Sequence, residues 1–167
     1  KTDVLMESAA LYVEDSVKVA DAAKALAKID PETATEGMSD AYTKLYNDLY
    51  PLLRAEILQT FADSGITAYE ASTPDYAAAA EDLETANKFE NQDQTGQTWA
   101  KRQYYLANSY YQLYLAAKDG SSDDNNTSAE EYVTKAKAVI ANLAAKDASS
   151  EYTTKANALL AQLPEVT

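Results

Sequence analysis

The residues able to do chemistry in this chain are carboxylates and phenols. Its 167 residues include 27 Asp plus Glu and 13 Tyr, with no Cys and no His. Without thiols, disulfides, thiol catalysis and zinc–thiolate sites are excluded. Without imidazole, so are the commonest general base and every triad that depends on it. What remains is carboxylate acid–base chemistry, oxygen ligation of a hard cation, and recognition by tyrosine.

Carboxylate catalysis requires an acid held in an apolar pocket, with its pKa raised. The pairs Glu130/Glu131 and Asp123/Asp124 lie instead on a polar loop or at a helix start, where the helix dipole favours acids, and they read as solvated. The loop 119–130 puts Asp119, Ser121, Asp123, Asn125, Thr127 and Glu130 at the six ligand positions of a twelve-residue calcium loop. Asp124, however, stands where the sharp turn needs glycine, and Ser121 where an acid or amide is expected. The expectation is a solvated acidic loop and no metal. Asn125-Asn126-Thr127 has the form of a glycosylation sequon, which carries no weight if the chain is bacterial. Gly65-Ile66-Thr67 lacks the second glycine and the lysine of a phosphate loop and reads as close helix packing. No catalytic residue, no cofactor and no enzymatic activity are expected.

Tyrosine is the unusual feature. Tyr104, Tyr105, Tyr110, Tyr111 and Tyr114 crowd one segment. At helical spacing, Trp99, Gln103, Leu106, Tyr110 and Leu113 form one face, expected to be core. The opposite stripe carries Lys101, Tyr104, Asn108, Tyr111, Gln112 and Leu115. Tyrosine offers a large contact area at small rotamer cost and keeps a hydroxyl for hydrogen bonding. The stripe is therefore either a packed face with its hydroxyls at the surface or a recognition surface.

The elements that would carry these residues are helices. Alanine, the strongest helix former, occurs 32 times, against four Gly and four Pro. All the glycines and prolines except Gly65 fall between periodic segments. Leu5, Ala9, Tyr12, Ser16, Val19, Ala23 and Leu26 mark a helix over about 2–29, stopped by Asp30-Pro31. Ser39 is the N-cap expected for the next helix, with Tyr42, Leu45 and Leu49. Pro51 either kinks that helix or opens another carrying Leu53, Ile57 and Phe61 to about residue 71. Thr73 is the expected cap of a fourth helix with Ala79, Leu83 and Ala86. A fifth follows around Trp99–Leu113, and the polar loop 118–127 separates it from a sixth, capped by Ser128. A last helix runs to Pro164. The prediction is an all-α chain of six or seven antiparallel helices with short connections and no strand.

Segment 65–89 resembles one tetratricopeptide repeat. Gly65 and Tyr69 take the small and aromatic positions of its first helix, and Asp75-Tyr76, Ala79, Leu83 and Ala86 follow the turn. Segment 99–147 resembles a second, with Trp99, Ala107 and Tyr110 or Tyr111, then Ala129, Val133 and Ala136 after the inserted loop. The stretch 147–163 is similar to the terminal helix of exported tetratricopeptide lipoproteins. The resemblance implies a short solenoid or bundle: capping helices over 1–50, one hairpin over 51–90, a second over 97–147 interrupted by 118–127, and a capping helix over 149–163. It implies that Ala79, Ala86, Ala129 and Ala136 are buried where helices cross. It also implies that first helices line a concave groove, which would gather Gln59, Ala62, Ile66 and Tyr69 with Lys101, Tyr104, Asn108, Tyr111 and Gln112.

The formal net charge is −13 and the isoelectric point is near 4.3. This argues against nucleic-acid partners and against anionic membrane surfaces, both of which require a basic footprint. No apolar run is long enough to insert in a membrane. The chain opens at Lys1, and the expectation is a mature piece of an exported or membrane-tethered bacterial protein. The expected function is binding of a protein or peptide by a monomeric, extracytoplasmic domain; the alternative is a structural spacer with no ligand of its own.

Overall fold

The computed structural model describes residues 19–29, 34–90, 94–120 and 128–165, and among them every regular element is a helix. They are α1 (Val19–Ala27), α2 (Asp40–Glu70), α3 (Tyr76–Lys88), α4 (Gln97–Lys118), α5 (Ala129–Lys146) and α6 (Glu151–Leu160). The first part of the helix expected over 2–29 lies outside the described residues, as do the calcium-loop positions Ser121, Asp123, Asp124, Asn125 and Thr127.

The helix boundaries follow from local chemistry. Ser39 Oγ accepts from the Tyr42 N–H at 3.4 Å and opens α2. α2 then runs unbroken through Pro51, so the two helices expected on either side of that proline are one. Pro51 brings no N–H to the carbonyl of Asn47, but both residues are exposed and water can serve that oxygen. The cap of α3 is Asp75 and not Thr73. Its Oδ1 accepts from the Ala78 N–H at 2.9 Å, and a carboxylate also complements the positive end of the helix. Ser128 caps α5 by accepting from the Glu131 N–H at 3.2 Å, and Ser150 caps α6 by accepting from the Tyr152 N–H at 3.1 Å.

The chain forms two compact units. One comprises Lys1–Asp63 and Thr85–Glu90, the other Ser64–Glu84 and Asn91–Thr167. The boundary drawn at 50/51 from the sequence falls inside α2. In the first unit Leu26, Ile29, Tyr46, Leu53, Ile57 and Phe89 make the core, with Tyr50 set between Tyr46 and Phe89 at ring distances of 5.4 and 6.0 Å.

In the second unit α4 is the central element, packing on both α5 and α6. Leu83, Trp99, Leu106, Tyr110, Val133, Ile140, Leu143 and Leu159 form its core. Ala79 and Ala136 are buried as expected, and so is Ala86 in the first unit. Ala129 is only half-buried, because it is the first residue of α5, beside the incoming loop. Leu113, expected in the core, is also half-buried. Gly65 is buried inside α2, and a Cβ on it would stand 2.7 Å from Leu83 Cγ, so the two helices can cross there only because the side chain is missing.

Candidate functional site

The site is a strip of half-buried tyrosines in the second unit, carried by the end of α2, the middle of α4 and the start of α6. Tyr69 leaves α2 in its last turn. Its ring stacks on that of Tyr105 of α4, with centroids 3.9 Å apart and planes at 14°, and meets the edge of Tyr76 at 5.8 Å. Tyr104, the next residue round α4, lies 6.1 Å from Tyr105 on one side and 6.1 Å from Tyr152 of α6 on the other. Tyr152–Tyr104–Tyr105–Tyr69 is therefore one run of neighbouring rings.

Polar groups tie the strip together. Asn108 Nδ2 donates to the Tyr69 hydroxyl at 2.5 Å. The Tyr105 hydroxyl donates to Glu70 Oε1 at 2.6 Å, and Lys101 Nζ meets the same oxygen at 2.9 Å while sitting 5.1 Å above the Tyr105 ring. One turn further on, the Tyr111 hydroxyl donates to Gln162 Oε1 at 2.9 Å. The charges respond accordingly. Hydrogen bonds from Tyr105 and then Lys101 hold the Glu70 carboxyl below its ordinary range, and the bond to Glu70 raises the Lys101 ammonium. Burial pushes the Tyr69 phenol up to about 12, and the Asn108 bond offsets only part of that. Burial also raises Tyr105, and its bond to Glu70 adds to the effect.

Of the residues expected in a groove, Tyr69, Lys101, Tyr104 and Asn108 converge on this strip, and Tyr111 lies beside it. Ile66 and Gln112 are half-buried in the same unit. Gln59 is different. It belongs to the first unit, is exposed, and donates from Nε2 to Asp63 Oδ1 at 2.7 Å. Ala62, also in that unit, is buried and offers no surface. The sequence reading missed Tyr105, Glu70 and Tyr152. Lys101, Tyr105 and Asn108 are spaced four and three apart, which places them on one face of α4 and could have pointed to Tyr105 as the partner of Tyr69.

A cavity of about 270 Å³ opens elsewhere in this unit, lined by Ala80, Glu81, Glu84, Tyr110, Tyr132 and Lys135 among others. The buried Tyr110 hydroxyl donates to Glu84, and Lys135 Nζ reaches Glu84 at 3.3 Å and Glu131 at 3.5 Å. Burial, reinforced by the Glu84 carboxylate, raises the Tyr110 phenol strongly. Tyr110, Glu84 and Lys135 are thus satisfied by one another, which is the signature of a structural polar cluster. Among the described residues no group of three or more Asp and Glu is placed to hold a metal ion, and no helix is long and apolar enough to cross a membrane.

Comparison with protein-family models, with curated proteins and with solved structures gave no match.

Proposed function

We propose that the chain is a tetratricopeptide-like, non-enzymatic binding domain of an exported or membrane-tethered bacterial protein, monomeric, and that it recognises a protein or peptide through the tyrosine strip. The observation that carries this reading is the run Tyr152–Tyr104–Tyr105–Tyr69, four partly exposed aromatic rings contributed by three helices. Partly exposed tyrosines at a shared surface are the residue type that dominates recognition energetics. Asn108 spends one N–H on Tyr69, and its carbonyl and second N–H take no partner among the described residues, which suits a peptide main chain. The repeat-like register is supported by the close Gly65–Leu83 approach and by buried Ala79 and Ala136.

One observation favours the alternative, a structural spacer. Tyr105 with Glu70 and Tyr111 with Gln162 already satisfy each other, as they would in a surface that binds nothing. Selection of displayed peptides on the immobilised domain separates the two. A binding domain yields a recurrent motif whose binding is lost in a Tyr104→Ala/Tyr111→Ala variant that keeps its helical circular-dichroism spectrum. Enrichment of no motif, or of one that the variant binds equally well, favours the spacer.

A further inference from the structure

We infer that the partner of the strip is an extended peptide bearing arginine or lysine side chains; this rests on the reading of the strip as a binding surface and adds the chemistry of what it binds. Ring, cation and carboxylate recur in one pattern along the strip. At one end Lys101 lies 5.1 Å above the Tyr105 ring and is held by Glu70 at 2.9 Å. At the other, Lys155 lies 4.9 Å above the Tyr152 ring and is held by Glu151 at 3.3 Å. The surface thus seats a cation over a tyrosine face with a carboxylate alongside, twice, using its own lysines. A tyrosine face attracts ammonium and, more often, guanidinium groups.

Tyr104 lies between those two ends. It has ring neighbours on both sides, is partly open, and among the described residues has neither a cation above it nor a partner for its hydroxyl. An incoming cationic side chain finds there the face that the resident lysines leave uncovered, and a main-chain carbonyl finds a phenolic donor.

The net charge of the chain favours the same partner. The chain carries 27 carboxylates against 14 cationic side chains, so its field draws basic partners and repels acidic ones. The length of the strip sets the form of the peptide. Ring steps of 6.1, 6.1 and 3.9 Å lead from Tyr152 through Tyr104 and Tyr105 to Tyr69. About five extended residues cover that path at roughly 3.3 Å each.

The test is fluorescence anisotropy of the intact domain with three labelled peptides of equal length: alternating Arg-Ser, alternating Glu-Ser, and a neutral Pro-rich sequence. The Arg-Ser peptide should bind the most tightly and weaken by about tenfold between roughly 50 and 300 mM salt, as screening predicts. Tyr104→Leu keeps an apolar side chain but removes the ring face and the hydroxyl, and should weaken that binding by about tenfold with the thermal midpoint retained. Undiminished binding in Tyr104→Leu would overturn the inference, since attraction to net charge alone needs no tyrosine. Equal binding of the neutral peptide overturns the cationic partner while leaving the strip as a peptide surface. Binding of none of the three overturns the cationic partner, and selection of displayed peptides then decides whether the strip is a binding surface at all.

Discussion

Gly65 and Leu83 are in contact through an absence: a Cβ on Gly65 would lie 2.7 Å from Leu83 Cγ and 3.3 Å from the Ala79 carbonyl oxygen. Leu83 is almost wholly buried, so it has little room to withdraw. Glycine inside a helix normally costs about 1 kcal/mol relative to alanine. Its presence in the middle of α2 is therefore explained by packing and not by conformation.

Gly65→Ala should consequently destabilise despite its better helix propensity. Overpacking costs about 1–3 kcal/mol against the roughly 1 kcal/mol gained in the helix, a net loss on the order of 1 kcal/mol. Urea unfolding measures it. In a Gly65→Ala/Leu83→Ala double variant the new methyl should partly fill the space left by Leu83, so the combined loss should be smaller than the sum of the single losses. Strict additivity would show that the two positions are not coupled.

Ala86→Leu and Ala136→Leu test the other small positions. Both alanines are buried almost completely, so three extra heavy atoms would have to displace close-packed neighbours. Each replacement should cost about 1–3 kcal/mol. Thermal midpoints left unchanged in both variants would rule out the repeat-like register.

These contacts also show how far the sequence could be read. The helices are legible because apolar residues recur at helical spacing and because Ser39 and Ser128 sit where caps must be. Thr73 has the form of a cap because it precedes a proline, yet a carboxylate one step past that proline serves the helix start better, and Asp75 does so. Pro51 was ambiguous because a proline's effect depends on whether the freed carbonyl can find water. The strip was half legible. Spacing along α4 identified a tyrosine face, but whether Tyr104 or Tyr105 meets Tyr69 depends on how α4 is rotated against α2, and tertiary packing sets that rotation. Tyr152, on another helix, had no local signal at all.

The loop between α4 and α5 should not bind calcium. Asp124 in place of the turn glycine and Ser121 in place of an acid or amide weaken the loop at two of the positions that calcium coordination depends on. A ligand raises stability only if it binds the native state. The thermal midpoint should therefore be the same with millimolar calcium and with chelator, and a rise of several degrees would show that 119–130 is a calcium site.

Alkaline pH should destabilise the protein through Tyr69. An unfolded tyrosine ionises near 10, whereas the folded phenol, held by burial, ionises at about 12. Between those values the unfolded chain gives up a proton that the native state keeps. The contribution is therefore whole below about 10 and is lost as the pH rises through about 12. The difference is at most about 2.7 kcal/mol, and the solvent-open part of the ring lowers it further. Tyr110 acts with the same sign, because burial and the neighbouring Glu84 carboxylate both oppose its phenolate. The free energy of urea unfolding should thus fall between about pH 10 and about pH 12. Tyr69→Phe should flatten that decline, since a residue that cannot ionise in either state adds no slope. The ultraviolet phenolate signal gives an independent measure: Tyr69→Phe should remove a late-rising part of the native titration and leave the unfolded one with a single tyrosine fewer. A native titration that completes near 10 would mean that Tyr69 is not shielded in the stack with Tyr105.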